Sequence, residues 1–223
     1  MRLQTYVKNN GGYTKSEVMS LQNDNKILVN DKKHNLSYNL KDCDVVTVDN
    51  IILEKQEFSY YIYNKPVGVI CTNDKNVSNN IISKLDIDKR IYPVGRLDKD
   101  THGLLILTND NKLTHYILES KKINKEYIVV INNKISQGFL DKMQEPIAIN
   151  GKLTTPATVK KIDDYAISIT LNEGRYHQIR KLVISSGEKL IDLKRVRIGN
   201  ISLDDFQLND GELLEVPNLK SLL

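Results

Sequence analysis

Three short stretches of this chain carry residue types that do chemistry. The first is Gly95-Arg-Leu-Asp-Lys-Asp-Thr-His-Gly103, a charged cluster between two glycines that leads straight into an apolar run, residues 104–107. Asp98 has Arg96 and Lys99 close beside it. Neighbouring cations favour an ionised carboxylate, the form a nucleophile or general base needs. The same residues would suit a surface turn whose aspartates cap backbone amides. Position argues for chemistry, because loops that feed a buried strand often hold reactive groups on a rigid scaffold.

The second stretch is Asn172-Glu-Gly-Arg-Tyr-His-Gln-Ile-Arg-Lys181. On a helix starting near Arg175, Tyr176 and Arg180 are spaced i,i+4, and His177 and Arg180 i,i+3. They share a flank beside the apolar stripe of Ile179 and Val183, so Arg180 sits at the edge of the buried face and can reach inward to a carboxylate. A solvated basic helix has the same composition. The third stretch, Lys125-Glu-Tyr127, opens a strand and puts Lys125 and Tyr127 on one face. A tyrosine beside a cleft can stack a base and offer a hydroxyl, but it can equally pack at a sheet edge. Lys65-Pro-Val-Gly68 is a turn whose lysine can meet phosphate. No P-loop, GxGxxG, CxxC, HExxH or GxSxG pattern occurs, which argues against nucleotide-loop, metal and serine-hydrolase chemistry.

The elements that must position these residues follow from pattern. The 223 residues carry 32 Lys+Arg against 28 Asp+Glu, net +4, with 40% apolar content, enough for a packed core. Arginines number only seven against 25 lysines, so their placement is the better clue to phosphate or carboxylate contacts. Arg90 and Arg96 lie near the first stretch, and Arg175, Arg180, Arg195 and Arg197 in or after the second. No segment has transmembrane length or signal-peptide form, and Cys43 and Cys71 stand far apart, as suits a reducing cytoplasm.

Net charge is +4 over residues 1–41 and −4 over 42–58, which predicts a boundary at 50–58. Before it come a helix over 2–7 stopped by Asn9-Asn-Gly-Gly12, a helix capped by Thr14 with Glu17 completing a capping box, and strands over 26–30 and 45–48. After it come strands over 60–63, 67–71, 104–108, 126–131, 157–161, 165–171, 190–193 and 196–198. Helices are expected over 77–85, 113–118, 137–143 and 176–184. This reads as a small domain (1–50), a linker (51–58) and an α+β domain (59–223) with a large mixed, mostly antiparallel sheet flanked by helices.

Taken in order, Lys65-Pro-Val-Gly68, Gly95-Arg-Leu-Asp98 with Gly103-Leu-Leu-Ile-Leu-Thr-Asn109, Lys125-Glu-Tyr127 and Glu173-Gly-Arg-Tyr-His-Gln-Ile-Arg180 resemble the RsuA/RluB-type ribosomal RNA pseudouridine synthases. Met1-Arg-Leu3, Thr14-Lys-Ser-Glu17 and Ile27-Leu-Val-Asn30 resemble the small alpha-L RNA-binding domain of a small-subunit ribosomal protein, with Asp31 and Gln4 departing from its usual Gly and Asp. The resemblance implies the pseudouridine synthase fold and a uridine flipped from its RNA, its glycosidic bond exchanged for a carbon–carbon bond to the same ribose. It implies that Asp98 is the essential aspartate, attacking the sugar or removing a ribose proton. Arg180 pairs with it, Tyr127 stacks on the base, and Arg96 fills the gap left by the flipped base. Lys65, Lys125, Arg175, His177 and Lys181 would contact RNA at the site, Arg2 and Lys15 in the small domain, and most remaining arginines would meet phosphates. No cofactor is implied, because the reaction is an internal isomerisation.

Glu173-Gly-Arg-Tyr-His-Gln178 and Leu153-Thr-Thr-Pro-Ala157 look most like the small-subunit branch, and the short acidic end after Val216-Pro217, with no basic tail, points the same way. The expected partner is therefore 16S rRNA or an assembling small ribosomal subunit, met by a cytoplasmic monomer. The alternatives are the same chemistry on 23S rRNA, a non-catalytic RNA-binding or assembly factor, and a glycosidase using Asp100 as its second carboxyl.

Overall fold

The first helix, α1 (Leu3–Gly11), runs through the two asparagines expected to stop it. The Asn10 amide donates to the Tyr6 carbonyl one turn back, and the stop falls at Gly12, whose φ of 72° ends the helix. Thr14 and Glu17 form a reciprocal capping box on α2 (Lys15–Asn23). Strands β1 (Ile27–Val29), β2 (Val46–Val48) and β3 (Ile51–Ile52) make a three-stranded antiparallel sheet. Asp49 and Asn50 both have positive φ, as the tight β2–β3 hairpin demands. Asp31 also has positive φ, 62°, which is why glycine is the more comfortable residue there. The core of this unit is its own: Leu3, Val7, Val18, Ile27, Val29, Val46 and Val48.

The computed structural model describes residues 1–219 except 56, 73, 75, 86 and 88–90, so Arg90 lies outside the described residues. The chain divides into two units, Met1–Phe58 and Ser59–Leu223. The second is α+β. Its elements are β4 (Tyr60–Lys65), α3 (Ile81–Lys84), β5 (Tyr92–Pro93), β6 (His102–Thr108), α4 (Asn111–Glu119), β7 (Lys125–Ile131), α5 (Gln137–Gln144), β8 (Ala148–Ile149), β9 (Lys152–Leu153), β10 (Thr158–Lys161), β11 (Ala166–Leu171), α6 (Gln178–Ser185), β12 (Leu190–Ile198), β13 (Ile201–Ser202) and β14 (Leu213–Val216). Nine of the strands form one sheet, ordered β10-β11-β7-β12-β6-β4-β14, with β13 beside β12 and β5 beside β6. Among the described residues of this sheet, only β12 and β6 pair in parallel.

The apolar run of β6 explains the layering. Leu104 and Ile106 join one cluster with Tyr60, Ile62, Leu113 and Ile117, while Leu105 and Leu107 join another with Tyr61, Tyr63, Ile81 and Leu97. A strand covered on both faces has no polar alternation, and each large side chain so buried stabilises the fold by about 1.5–3 kcal/mol. A third cluster packs α5 and α6 on β7, β11 and β12 through Phe139, Met143, Ile179, Leu182 and Val183.

Three expectations change. Residues 67–71 form no strand; Ile70 makes a single bridge to Asn80. The helix read over 77–85 shrinks to α3, because Asn79 takes a positive φ and the Asn80 side chain caps Ser83. The two strands read over 190–198 are one, since register shifts at Leu190/Asp192 and Arg195/Arg197 keep β12 paired with β7 throughout.

Candidate active site

Asp98 projects from the loop between β5 and β6, and that loop is held on both sides of it. Upstream, Leu97 is buried and its N–H meets the Cys71 Sγ at 3.5 Å. Downstream, Thr101 is buried and its N–H closes a turn onto the Asp98 carbonyl at 3.1 Å. Gly68 donates its N–H to the Lys99 carbonyl at 2.8 Å. Beneath the loop lies Lys65, with no exposed surface, whose Nζ donates to the carbonyls of Thr101 at 2.7 Å and Pro66 at 2.9 Å. Gly103 then lets the loop enter β6 against β12: its φ is 99°, and a Cβ there would run into the Arg195 carbonyl.

Across from this loop, α6 brings up its guanidinium. Arg180 Nε donates to Asp98 Oδ2 at 3.1 Å, and its Nη2 donates to Thr101 Oγ1 at 3.0 Å. The side chains are 24% and 38% exposed, so the pair lies at the mouth of a cleft with its carboxylate reachable. His177 Nε2 approaches the other carboxylate oxygen at 3.4 Å. The cleft measures about 370 Å³ and is lined by Arg96, Asp98, Tyr127, Tyr176, His177 and Arg180 among others. Tyr127 packs where two of the hydrophobic clusters meet. A carboxylate fixed by a fork, beside an aromatic ring, in a space of this size, can hold a flat polar ring and act on the atom next to it.

Helix α6 does not begin where its pattern suggested. It starts at Gln178, and His177 is its left-handed cap at φ 53°. Residues 172–177 are a loop, held by a half-buried polar knot. Glu173 accepts from the Thr155 N–H at 2.9 Å, Gln178 Nε2 at 3.1 Å and Arg175 Nε at 3.1 Å. Burial alone would raise the Glu173 carboxyl, but these donors outweigh it and hold it below its usual value. So Tyr176 and Arg180 are not on one helical face; Tyr176 stacks on His177 instead.

Several expected RNA contacts are corrected by burial. Lys65 has the role just described, and burial pulls its ammonium below the usual lysine value. Lys125 is also buried, donating to the Ile117 and Ile123 carbonyls, and burial lowers it likewise. The Arg175 guanidinium holds Glu173 and the carbonyls of Lys152 and Leu153. Arg195 is buried with Nε on the Leu104 carbonyl, and Arg197 pairs with Glu126. Lys65, Lys125 and Arg195 are buried and cannot meet a phosphate as they stand, whereas Arg175 and Arg197 are engaged by these partners but keep part of their side chains at the surface. Arg96 is exposed at the cleft and Lys181 half-buried beside Tyr176. Arg2 and Lys15 are exposed in the first unit. Sequence reading missed Thr101 and Cys71. The threonine's only signal was its place three residues after Asp98; the cysteine gave none.

With this geometry in hand, the comparisons are specific. Residues 59–185 match the family described as RNA pseudouridylate synthase. The chain is 31% identical over 226 residues to the dual-specificity RNA pseudouridine synthase RluF of Escherichia coli K12, covering 97% of this chain and 78% of that protein. It is 30% identical over 220 residues to ribosomal small subunit pseudouridine synthase A of Haemophilus influenzae Rd, covering 95% and 94%. A crystal structure of a pseudouridylate synthase aligns with a TM-score of 0.67 and 28% identity over 97% of this chain and 96% of the other. The cleft thus sits on the fold of an RNA-modifying isomerase. The chain belongs to the RNA pseudouridylate synthase family.

Proposed function

We propose that this enzyme isomerises a uridine of 16S rRNA, with Asp98 as its catalytic carboxylate. The observation that carries this reading is the Arg180–Asp98 pair at 3.1 Å inside the cleft that Tyr127 also lines. The uridine flips into the cleft and its uracil stacks on Tyr127. The bond from ribose C1′ to N1 breaks, the base turns, C1′ bonds to C5, and the C5 proton leaves as N1 gains one. Attack on the sugar and removal of a ribose proton both require an ionised Asp98 aimed at the ribose, and Arg180 serves both by fixing one oxygen and balancing its charge. Arg96 enters the space vacated by the base. His177 and Lys181 contact the RNA beside it, and the Met1–Phe58 unit, through Arg2 and Lys15, binds RNA outside the cleft.

The small-subunit target is supported by two sequence motifs that are one piece in space. Thr155 Oγ1 donates to Asn172 Oδ1 at 2.7 Å, its N–H reaches Glu173, and Arg175 holds the Lys152 and Leu153 carbonyls. The segments resembling the small-subunit branch therefore form one wall near the cleft. The test is tritium release from ribosomal subunits carrying C5-tritiated uridine and lacking this enzyme's modification. Release from small-subunit particles or 16S rRNA is expected; release from 23S rRNA alone would move the target to the large subunit.

A further inference from the structure

Tyr176 is 63% exposed, unusual for a ring at the edge of a polar cleft. Its backbone is nevertheless fixed. The Arg175 N–H donates to Gln178 Oε1 at 3.1 Å, and the buried Gln178 is tied in turn to Glu173. His177 takes a left-handed backbone at φ 53°, a strained conformation that persists only where the surroundings impose it. Its consequence is a stacked pair: the Tyr176 and His177 rings lie 3.8 Å apart at 18°, with His177 facing Asp98 and Tyr176 facing outward. On its outer side is a second hollow, open and about 550 Å³, lined by Ile149, Asn150, Lys152, Arg175 and Tyr176. Its far wall is the tight β8–β9 hairpin, turned by Asn150 and Gly151 at positive φ. Tyr176 lines both hollows, so it is the ridge between them. Two cations border it: Lys152 is exposed, and the Lys181 ammonium lies over the Tyr176 ring, 5.4 Å from its centre, where an incoming base displaces it toward the phosphate.

A rigid, exposed aromatic ring among cations, one step from a cleft that takes a flipped nucleotide, suits a base with its phosphate on each side. We propose that Tyr176, braced by His177, is the stacking platform for the nucleobase that neighbours the flipped uridine, and that the recess beside the β8–β9 hairpin receives that nucleotide. This rests on the reading of the Asp98 cleft as the uridine site. Lys181 and Lys152 then meet the phosphates flanking the stacked base. The ring, not the hydroxyl, does the work, and its effect falls on capture of RNA, not on turnover.

Two measurements test this separately from the uridine reading. In tritium-release kinetics, Tyr176→Ala should raise the KM for rRNA about ten-fold, the size of one base–aromatic stack, with kcat within about two-fold, while Tyr176→Phe behaves as wild type. An unchanged KM for Tyr176→Ala, or equal damage by Tyr176→Phe, overturns the platform. The second readout needs no turnover. The chain has no tryptophan, so Tyr176→Trp places its single indole on the ridge. Heptauridylate with a central 5-fluorouridine should quench its emission, and an abasic ribose on one side of that residue should abolish the quenching. No quenching up to millimolar oligomer, or equal quenching by both abasic versions, overturns the proposal. Quenching without tritium release would sink the uridine reading alone.

Discussion

In the proposed reaction the chemistry turns on Arg180, because it holds Asp98 and Thr101 with one fork. Among the described residues, removing it leaves the carboxylate aimed only by a histidine at 3.4 Å. Charge-assisted hydrogen bonds of this kind contribute about 1.5–3 kcal/mol, so Arg180→Ala should lower kcat about 10- to 100-fold while the Kd for RNA stays within about three-fold. A filter-binding titration beside single-turnover kinetics checks this; lost affinity with normal turnover would make Arg180 a phosphate contact. The pattern put Arg180 at a helix edge within reach of a carboxylate, and the family resemblance pointed to Asp98 as that carboxylate; the structure brings the two together. The burial of Lys65 and Lys125 was not, since nothing local distinguishes a lysine that faces water from one that ties up carbonyls inside. In hindsight Lys65 closes a strand in which every residue is buried.

At the scale of elements, the site is a loop and a helix held in register by polar groups from beneath. Lys65→Met removes the donor under the Asp98 loop and leaves the Thr101 and Pro66 carbonyls without it. A buried group so stranded costs about 1–3 kcal/mol, so a loss near 2 kcal/mol should lower Tm by about 4–8 °C. Affinity for RNA should hold within about two-fold, which a phosphate contact would not allow. The Glu173 knot gives a pH signature. Its carboxyl is depressed in the folded chain, so its stabilisation is complete above the unfolded value of about 4.3 and is lost as pH falls through the folded one. In urea titrations, Glu173→Gln should therefore be less stable than wild type at pH 7, and the two should converge as pH falls below the depressed folded value. This knot is also why α6 starts at Gln178: propensity alone carries the helix back to Tyr176, whereas Glu173, Thr155 and Gln178, brought together by the fold, hold the preceding residues in a loop. The long strands were easier to read, because the unbroken apolar run of β6 and the alternation in β11 leave few choices, whereas the short strands β3, β5, β8, β9, β13 and β14 gave no such signal.

For the whole molecule, the division at Phe58 separates two cores that share no buried residue. The charge sign changes within the first unit, between residues 41 and 42, and the zero net charge of that unit hides a front half at +4. A fragment comprising residues 59–223 should keep the circular dichroism and cooperative unfolding of its own domain. Its KM for rRNA should rise, and the fall of affinity with salt should become shallower as phosphate contacts disappear; an insoluble fragment would contradict the independence of the two cores. The account as a whole rests on one carboxylate acting on one uridine. Its most direct test is tritium release from C5-labelled, unmodified ribosomal subunits by wild type and Asp98→Asn, both checked for folding by circular dichroism. Wild type should release tritium, and Asp98→Asn should be slower by about 1,000-fold or more; equal release by the two proteins would contradict the account.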